Sequence, residues 1–125
     1  MKLAVVEGEF GVARLLAHDP VPGWAHVGSI TSWTRTTDEL SVVCAAGAIP
    51  PGVPAERGWR CLRIVGPLDF SLTGILASIL GPLAAAKVSV FTLSTYETDY
   101  VLVRVPSLAE AIECLRAAGH EVFDD

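Results

Sequence analysis

The residues with most chemistry to offer lie in two short stretches, Asp69-Phe70-Ser71-Leu72-Thr73-Gly74 and Ser94-Thr95-Tyr96-Glu97-Thr98-Asp99. The second is the densest run of hydrogen-bonding side chains in a chain that is 51% hydrophobic. Asp69 or Ser71 stands where an apolar helix should begin. A short side-chain oxygen there can accept from the free amides of the first turn. Those same amides can hold a carboxylate from outside the chain. Gly74 falls inside the expected helix, where it costs about 1 kcal/mol relative to alanine. Close backbone approach, by a packed strand or by a ligand, would explain it. Asp99 opens a strand beside Thr98, and its carboxylate can hold an ammonium group. This is chemistry for binding a small molecule.

It is not chemistry for turnover. The chain has no Gly-x-Ser-x-Gly elbow, no phosphate loop and no His-Glu-x-x-His. His18, His26 and His120 are dispersed, without metal-ligand spacing. Cys44, Cys61 and Cys114 are odd in number and unpaired in spacing, which argues against a disulfide framework and a zinc site. Buried, inert thiols are expected instead. No enzyme, cofactor or metal is therefore expected. The net charge is −5 with only nine Lys and Arg, whereas nucleic acid demands a concentrated positive field. Gly, Pro, Ser and Thr punctuate every apolar segment, so none reaches the roughly 20 residues of a membrane helix. No basic region precedes an apolar core at the N-terminus, so a cytoplasmic protein is expected.

The elements that must position these stretches read as follows. Lys2–Val6 is a short strand, broken by Glu7-Gly8-Glu9, and Phe10–Ala17 fits helix or strand equally. Trp24–Val27 suits one helical turn. Strand formers from Ser29 to Thr34 and from Leu40 to Cys44 flank the corner Thr36-Thr37-Asp38-Glu39, a hairpin. Ala45–Gly58 holds three prolines and three glycines and reads as a loop. Trp59–Val65 alternates as a strand. Leu72, Ile75, Leu76, Ile79, Leu80 and Leu83 then form one helical face, with a kink or early end expected at Gly81-Pro82. Val88–Leu93 and Tyr100–Val105 are strands. Ser107 and Glu110 have capping-box spacing for a last helix, Gly119 stops it, and His120–Phe123 is a final strand.

The second half thus reads strand, helix, strand, strand, helix, strand, an α+β arrangement of the ferredoxin-like βαββαβ type. The two hairpins also resemble each other. At a spacing of 61 positions Val27, Thr31, Thr34, Thr37, Asp38 and Val42 meet Val88, Thr92, Thr95, Thr98, Asp99 and Val103. The first half reads as a shortened copy of the second.

Trp59–Ile75 and Ser94–Val103, with Ser32–Cys44 as their weaker counterpart, resemble the ACT domain, a regulatory ligand-binding fold of amino-acid metabolism. The resemblance is to the aspartokinase-type small tandem ACT proteins, which are also similar to the ACT halves of the animal cytosolic arginine sensor. It implies two ACT-like lobes, a degenerate one over residues 1–57 and an ACT domain over 58–125. It implies a free amino acid as ligand, bound by Asp69, Ser71, Leu72 and Gly74 with Thr95, Thr98 and Asp99 across from them. Output would pass through a partner protein or an oligomer, since no catalytic domain is attached to these residues. The competing reading is a structural interaction module without a ligand. A crevice is expected where Asp69 and Ser71 face Thr31–Thr37 and the Thr95–Asp99 corner forms the border. A homodimer is expected to cover remaining apolar surface.

Overall fold

The computed structural model describes residues 1–66, 68 and 73–124. The chain divides into two compact units, Met1–Glu7 with Arg60–Asp125, and Gly8–Trp59. Two strands contribute to both: β1 (Lys2–Leu15) and β4 (Ala55–Ile64). Gly8 does not break β1, because the residues on each side of it are hydrogen-bonded into ladders. Gly8 instead passes through φ 104, open to glycine at no steric cost. The Pro- and Gly-rich run expected as a loop to residue 58 already enters β4 at Ala55. Pairing overrides composition here: the Arg14 amide donates to the Pro54 carbonyl at 2.9 Å.

The larger unit adds α1 (Ile75–Ala85), β5 (Val90–Ser94), β6 (Asp99–Arg104), α2 (Leu108–Ala117) and β7 (Glu121–Asp124). Its strands lie in the order β7, β1, β4, β6, β5. This is the expected ferredoxin-like arrangement with one addition. The N-terminal segment of β1 is interposed next to β7, which runs parallel to it with Leu3 opposite Val122. Ile79 and Leu83 of α1 and Ala111 and Leu115 of α2 close on Leu3, Val5, Leu62, Ile64, Val101 and Val103, all buried. Period-2 alternation in the strands and 3.6-residue periodicity in the helices supply that apolar face.

Three local expectations change. The α1 helix starts at Ile75, and Gly74 is its N-cap, in a left-handed conformation at φ 76. A Cβ at Gly74 would meet nothing within 4 Å, so the backbone angle, not close approach, explains this glycine. Pro82 neither ends α1 nor leaves it unpaired. The Ser78 carbonyl, deprived of its helical donor, lies 3.0 Å from His120 Nε2. A carbonyl only accepts, so Nε2 carries the proton. Finally, Ser107 makes no capping bond, because the 3-10 turn Val105–Ser107 already leads into α2 and Ser107 sits at helical angles. The C-terminal stop forms as expected. Gly119 at φ 97 donates to the Arg116 carbonyl while His120 donates to that of Leu115, a Schellman pairing.

The smaller unit adds β2 (Ser32–Arg35) and β3 (Leu40–Ala45), in the strand order β2, β3, β1, β4. Both helix positions hold single 3-10 turns, Gly23–His26 and Ala46–Ala48. Its own small core gathers Ala13, Ala25, Leu40, Val42, Cys44 and Ile49.

The two hairpins repeat at 59 positions rather than at the 61 that sequence identity suggests. Trp33 pairs with Val42 and Thr92 with Val101, 92 − 33 = 59 and 101 − 42 = 59. The 3-10 turns that follow start at Ala46 and Val105, also 105 − 46 = 59. Threonine-rich hairpins align by residue type at several spacings, and hydrogen bonding selects one.

Candidate functional site

The corner between β5 and β6 is fixed by two threonines, Thr95 and Thr98. The Thr95 amide donates to the Thr98 carbonyl at 2.9 Å, and Thr95 Oγ1 donates to the same carbonyl at 3.1 Å. Thr98 is the one buried polar residue among the described residues, and its Oγ1 donates to the Ile64 carbonyl at 2.6 Å. That bond ties the corner to the end of β4. The Glu97 carbonyl accepts from the Leu68 amide at 2.7 Å, a second tie to the segment after β4. Gly66 makes room for it: a Cβ there would come within 3.1 Å of the Glu97 carbonyl oxygen.

Between this corner and the start of α1 lies a cavity of about 230 Å³. One wall is Leu68 with Gly74, Ile75, Leu76 and Ala77, and the other is Thr95–Asp99. The volume sits below the roughly 300–1,000 Å³ of drug-sized sites and suits a smaller ligand. Gly74 offers no side-chain cap to α1. The amides of Ile75, Leu76 and Ala77 therefore have no partner within the helix and carry its positive end. The opposite wall brings two carboxylates. Asp99 is half-buried, and its Oδ1 accepts from Ser94 Oγ at 2.6 Å. Glu97 is exposed. Among the described lining residues none is Lys or Arg.

Of the residues named from sequence, the structure brings Gly74, Thr95, Thr98 and Asp99 to this one cavity. Thr98 has its hydroxyl committed to Ile64, so it shapes the wall. Asp69, Ser71 and Leu72 lie outside the described residues, and so does the expectation that Asp69 and Ser71 face a crevice. Tyr96 and Glu97 belong to the corner named from sequence, whereas Leu68, Ile75, Leu76 and Ala77 are lining residues that the sequence reading does not single out for binding. Three of these lie on the first turn of α1, and placing the helix start at Gly74 would have found them. Two of the cysteines, Cys44 and Cys61, are buried and poor nucleophiles. Burial pushes the Cys61 thiol up to about 12 and raises that of Cys44. The described residues hold no group of three or more His, Cys, Asp or Glu able to bind a metal ion. They contain no helix long and apolar enough to cross a membrane.

The family model of the ACT domain matches residues 55–117, and a second model, of an N-terminal domain, matches residues 8–52. The human cytosolic arginine sensor for mTORC1 subunit 1 is 46% identical over 59 residues, 46% of this chain and 18% of that protein. The chain thus spans less than a fifth of that relative's length. A crystal structure of an Agobacterium tumefaciens protein matches with a TM-score of 0.93 and 40% identity, over 99% of this chain and 92% of that one. The ligand-free regulatory subunit of Thermus thermophilus aspartate kinase shares the fold at a TM-score of 0.63 and 14% identity, covering 94% and 97%. With its βαββαβ unit and a matched model over half its length, the chain belongs to the ACT domain family.

Proposed function

We propose that this chain is a non-enzymatic regulator that binds a free amino acid in the cavity between the start of α1 and the Thr95–Asp99 corner. The observation that carries this reading is the polarity of the two walls. First-turn residues of α1, whose amides have no acceptor within the helix, line one side and the acidic Glu97 and Asp99 the other, with no basic residue among the described lining residues. A zwitterion fits that polarity in one orientation, carboxylate to α1 and ammonium to Asp99 and Glu97. Asp69, Ser71 and Leu72 join the binding set in this reading, because they stand in the chain between Leu68 and Gly74, which both line the cavity. The arginine-sensing relative and the regulatory subunit of aspartate kinase support amino-acid-dependent regulation. The acidic wall favours a cationic amino acid over an acidic one.

In this reading the chain is a tandem of ACT-like lobes, residues 1–57 and 58–125, and the first lobe, reduced to 3-10 turns where helices belong, carries no site of its own. The signal passes to a partner or a second copy in the cytoplasm. Calorimetry against the free amino acids tests the proposal. A ligand at 100 times its dissociation constant adds about 2.7 kcal/mol of stability. Asp99→Asn is expected to weaken binding by about tenfold or more, since it removes a charge-assisted contact. If no free amino acid binds or shifts the melting temperature, the proposal fails.

A further inference from the structure

Asp99 lines the cavity, and Ser94, which is not part of the lining, donates from Oγ to Asp99 Oδ1 at 2.6 Å. Ser94 ends β5, Asp99 begins β6, and the two stand directly opposite each other in the ladder. The ladder holds both Cα atoms, so what the bond adds is control over the Asp99 side-chain torsions. The hairpin itself does not need this pair. In the smaller unit the same ladder position, 94 − 59 = 35 and 99 − 59 = 40, sets Arg35 opposite Leu40 in the same register. Nor is Ser94 there for packing, since it is exposed while Asp99 is half-buried. An ionised carboxylate only accepts, at either of two oxygens. A hydroxyl on Oδ1 fixes the rotamer and leaves Oδ2 to a second donor. A side chain already held in its bound rotamer loses less entropy when a ligand arrives.

We infer that Ser94 is a positioning residue of this cavity: its hydroxyl presets the Asp99 carboxylate by holding Oδ1, so that Oδ2 receives the ammonium group of the ligand. The inference rests on the amino-acid-binding reading above and adds a residue that the reading does not require. Two measurements test it, one of them without any ligand. Three-bond NMR couplings to the Asp99 β-protons report its rotamer in the unliganded chain. A single rotamer is expected in the wild type and in Ser94→Thr, which keeps a hydroxyl, and rotamer averaging is expected in Ser94→Ala. The second measurement is a calorimetric double-mutant cycle over Ser94→Ala and Asp99→Ala. Its probes are the standard free amino acids, and the cycle uses whichever binds the wild type most tightly. Ser94→Ala is expected to weaken binding about fivefold, the net worth of one hydrogen bond, with Ser94→Thr close to the wild type. In the Asp99→Ala background the same serine change is expected to cost less than about twofold, because the group it positions is gone. An unchanged single rotamer in Ser94→Ala, or losses that simply add across the cycle, overturn the inference and leave the binding reading standing. A wild type that binds no free amino acid overturns both.

Discussion

The Thr36–Glu39 and Thr95–Thr98 corners are built alike. In each, the first threonine closes the turn through its amide and its hydroxyl, and the same antiparallel register leads away from it. Only the second borders the cavity beside α1. At the first corner the Asp38 carbonyl takes the Arg14 side chain at 3.3 Å, where the Glu97 carbonyl of the second takes the Leu68 amide. The helix position of the smaller unit holds the four residues Gly23–His26, with no length to present an uncapped first turn. The polar corner is therefore common architecture. What distinguishes the larger unit is an 11-residue helix behind a glycine N-cap, whose first turn lines the same cavity as that corner.

The largest effect that sharpens this comparison comes from the two cores. Leu83 is fully buried among the residues that seat α1, and Leu40 is buried in the small core of the other unit. Leu83→Ala and Leu40→Ala are each expected to cost about 2–5 kcal/mol. Hydrogen exchange should separate them, with α1, β5 and β6 loosening in the first variant and β2 and β3 in the second. Loosening of the same elements in both would break the division into two cores.

A smaller effect separates the cysteines. Cys61 has an unfolded-state pKa of 9.0 and is pushed up to about 12 by burial. Above pH 9 the unfolded chain loses this proton first, so the native state holds more protons and stability falls as pH rises toward 12. Below pH 9 the thiol is neutral in both states and the contribution is constant. The slope from this one group is about 1.4 kcal/mol per pH unit. Denaturant melts across the interval should show Cys61→Ala flattening the decline more than Cys44→Ala, whose thiol burial also raises.

The smallest effect tests the corners themselves. Thr95→Ala and Thr36→Ala each remove the hydroxyl that closes a turn, at about 0.5–1.5 kcal/mol. The two losses in thermal stability should be similar. Amino-acid binding should weaken in Thr95→Ala alone. Weakening in Thr36→Ala as well would place the smaller unit's corner in the binding machinery.

Much of this protein was legible in its sequence for a plain physical reason. The apolar spacing from Ile75 to Leu83, the alternation from Arg60 to Val65 and the glycine stop at Gly119 are local patterns with local causes. So were the polar residues Thr95, Thr98 and Asp99, conspicuous in apolar surroundings. The start of α1 was misplaced because Asp69 and Ser71 look like caps, whereas the left-handed Gly74 leaves no composition signal beyond being glycine. The 61-residue spacing misled because threonine is common in strands, so chance identities compete with true register.

The sequence by itself determined which segments pair with water and which do not, and hence the elements and their order from Trp59 onward. Only tertiary structure decided that β1 continues through Gly8, that β4 begins at Ala55, and that the first strand is interposed beside β7. Each is a choice of ladder partner far away in sequence, and the hydrogen bonds of a strand are all made to another segment. It likewise decided that Thr98 spends its hydroxyl on the Ile64 carbonyl, although its type alone leaves that hydroxyl open to a ligand. A side chain's type sets what it can bind, and its burial sets what remains free to bind.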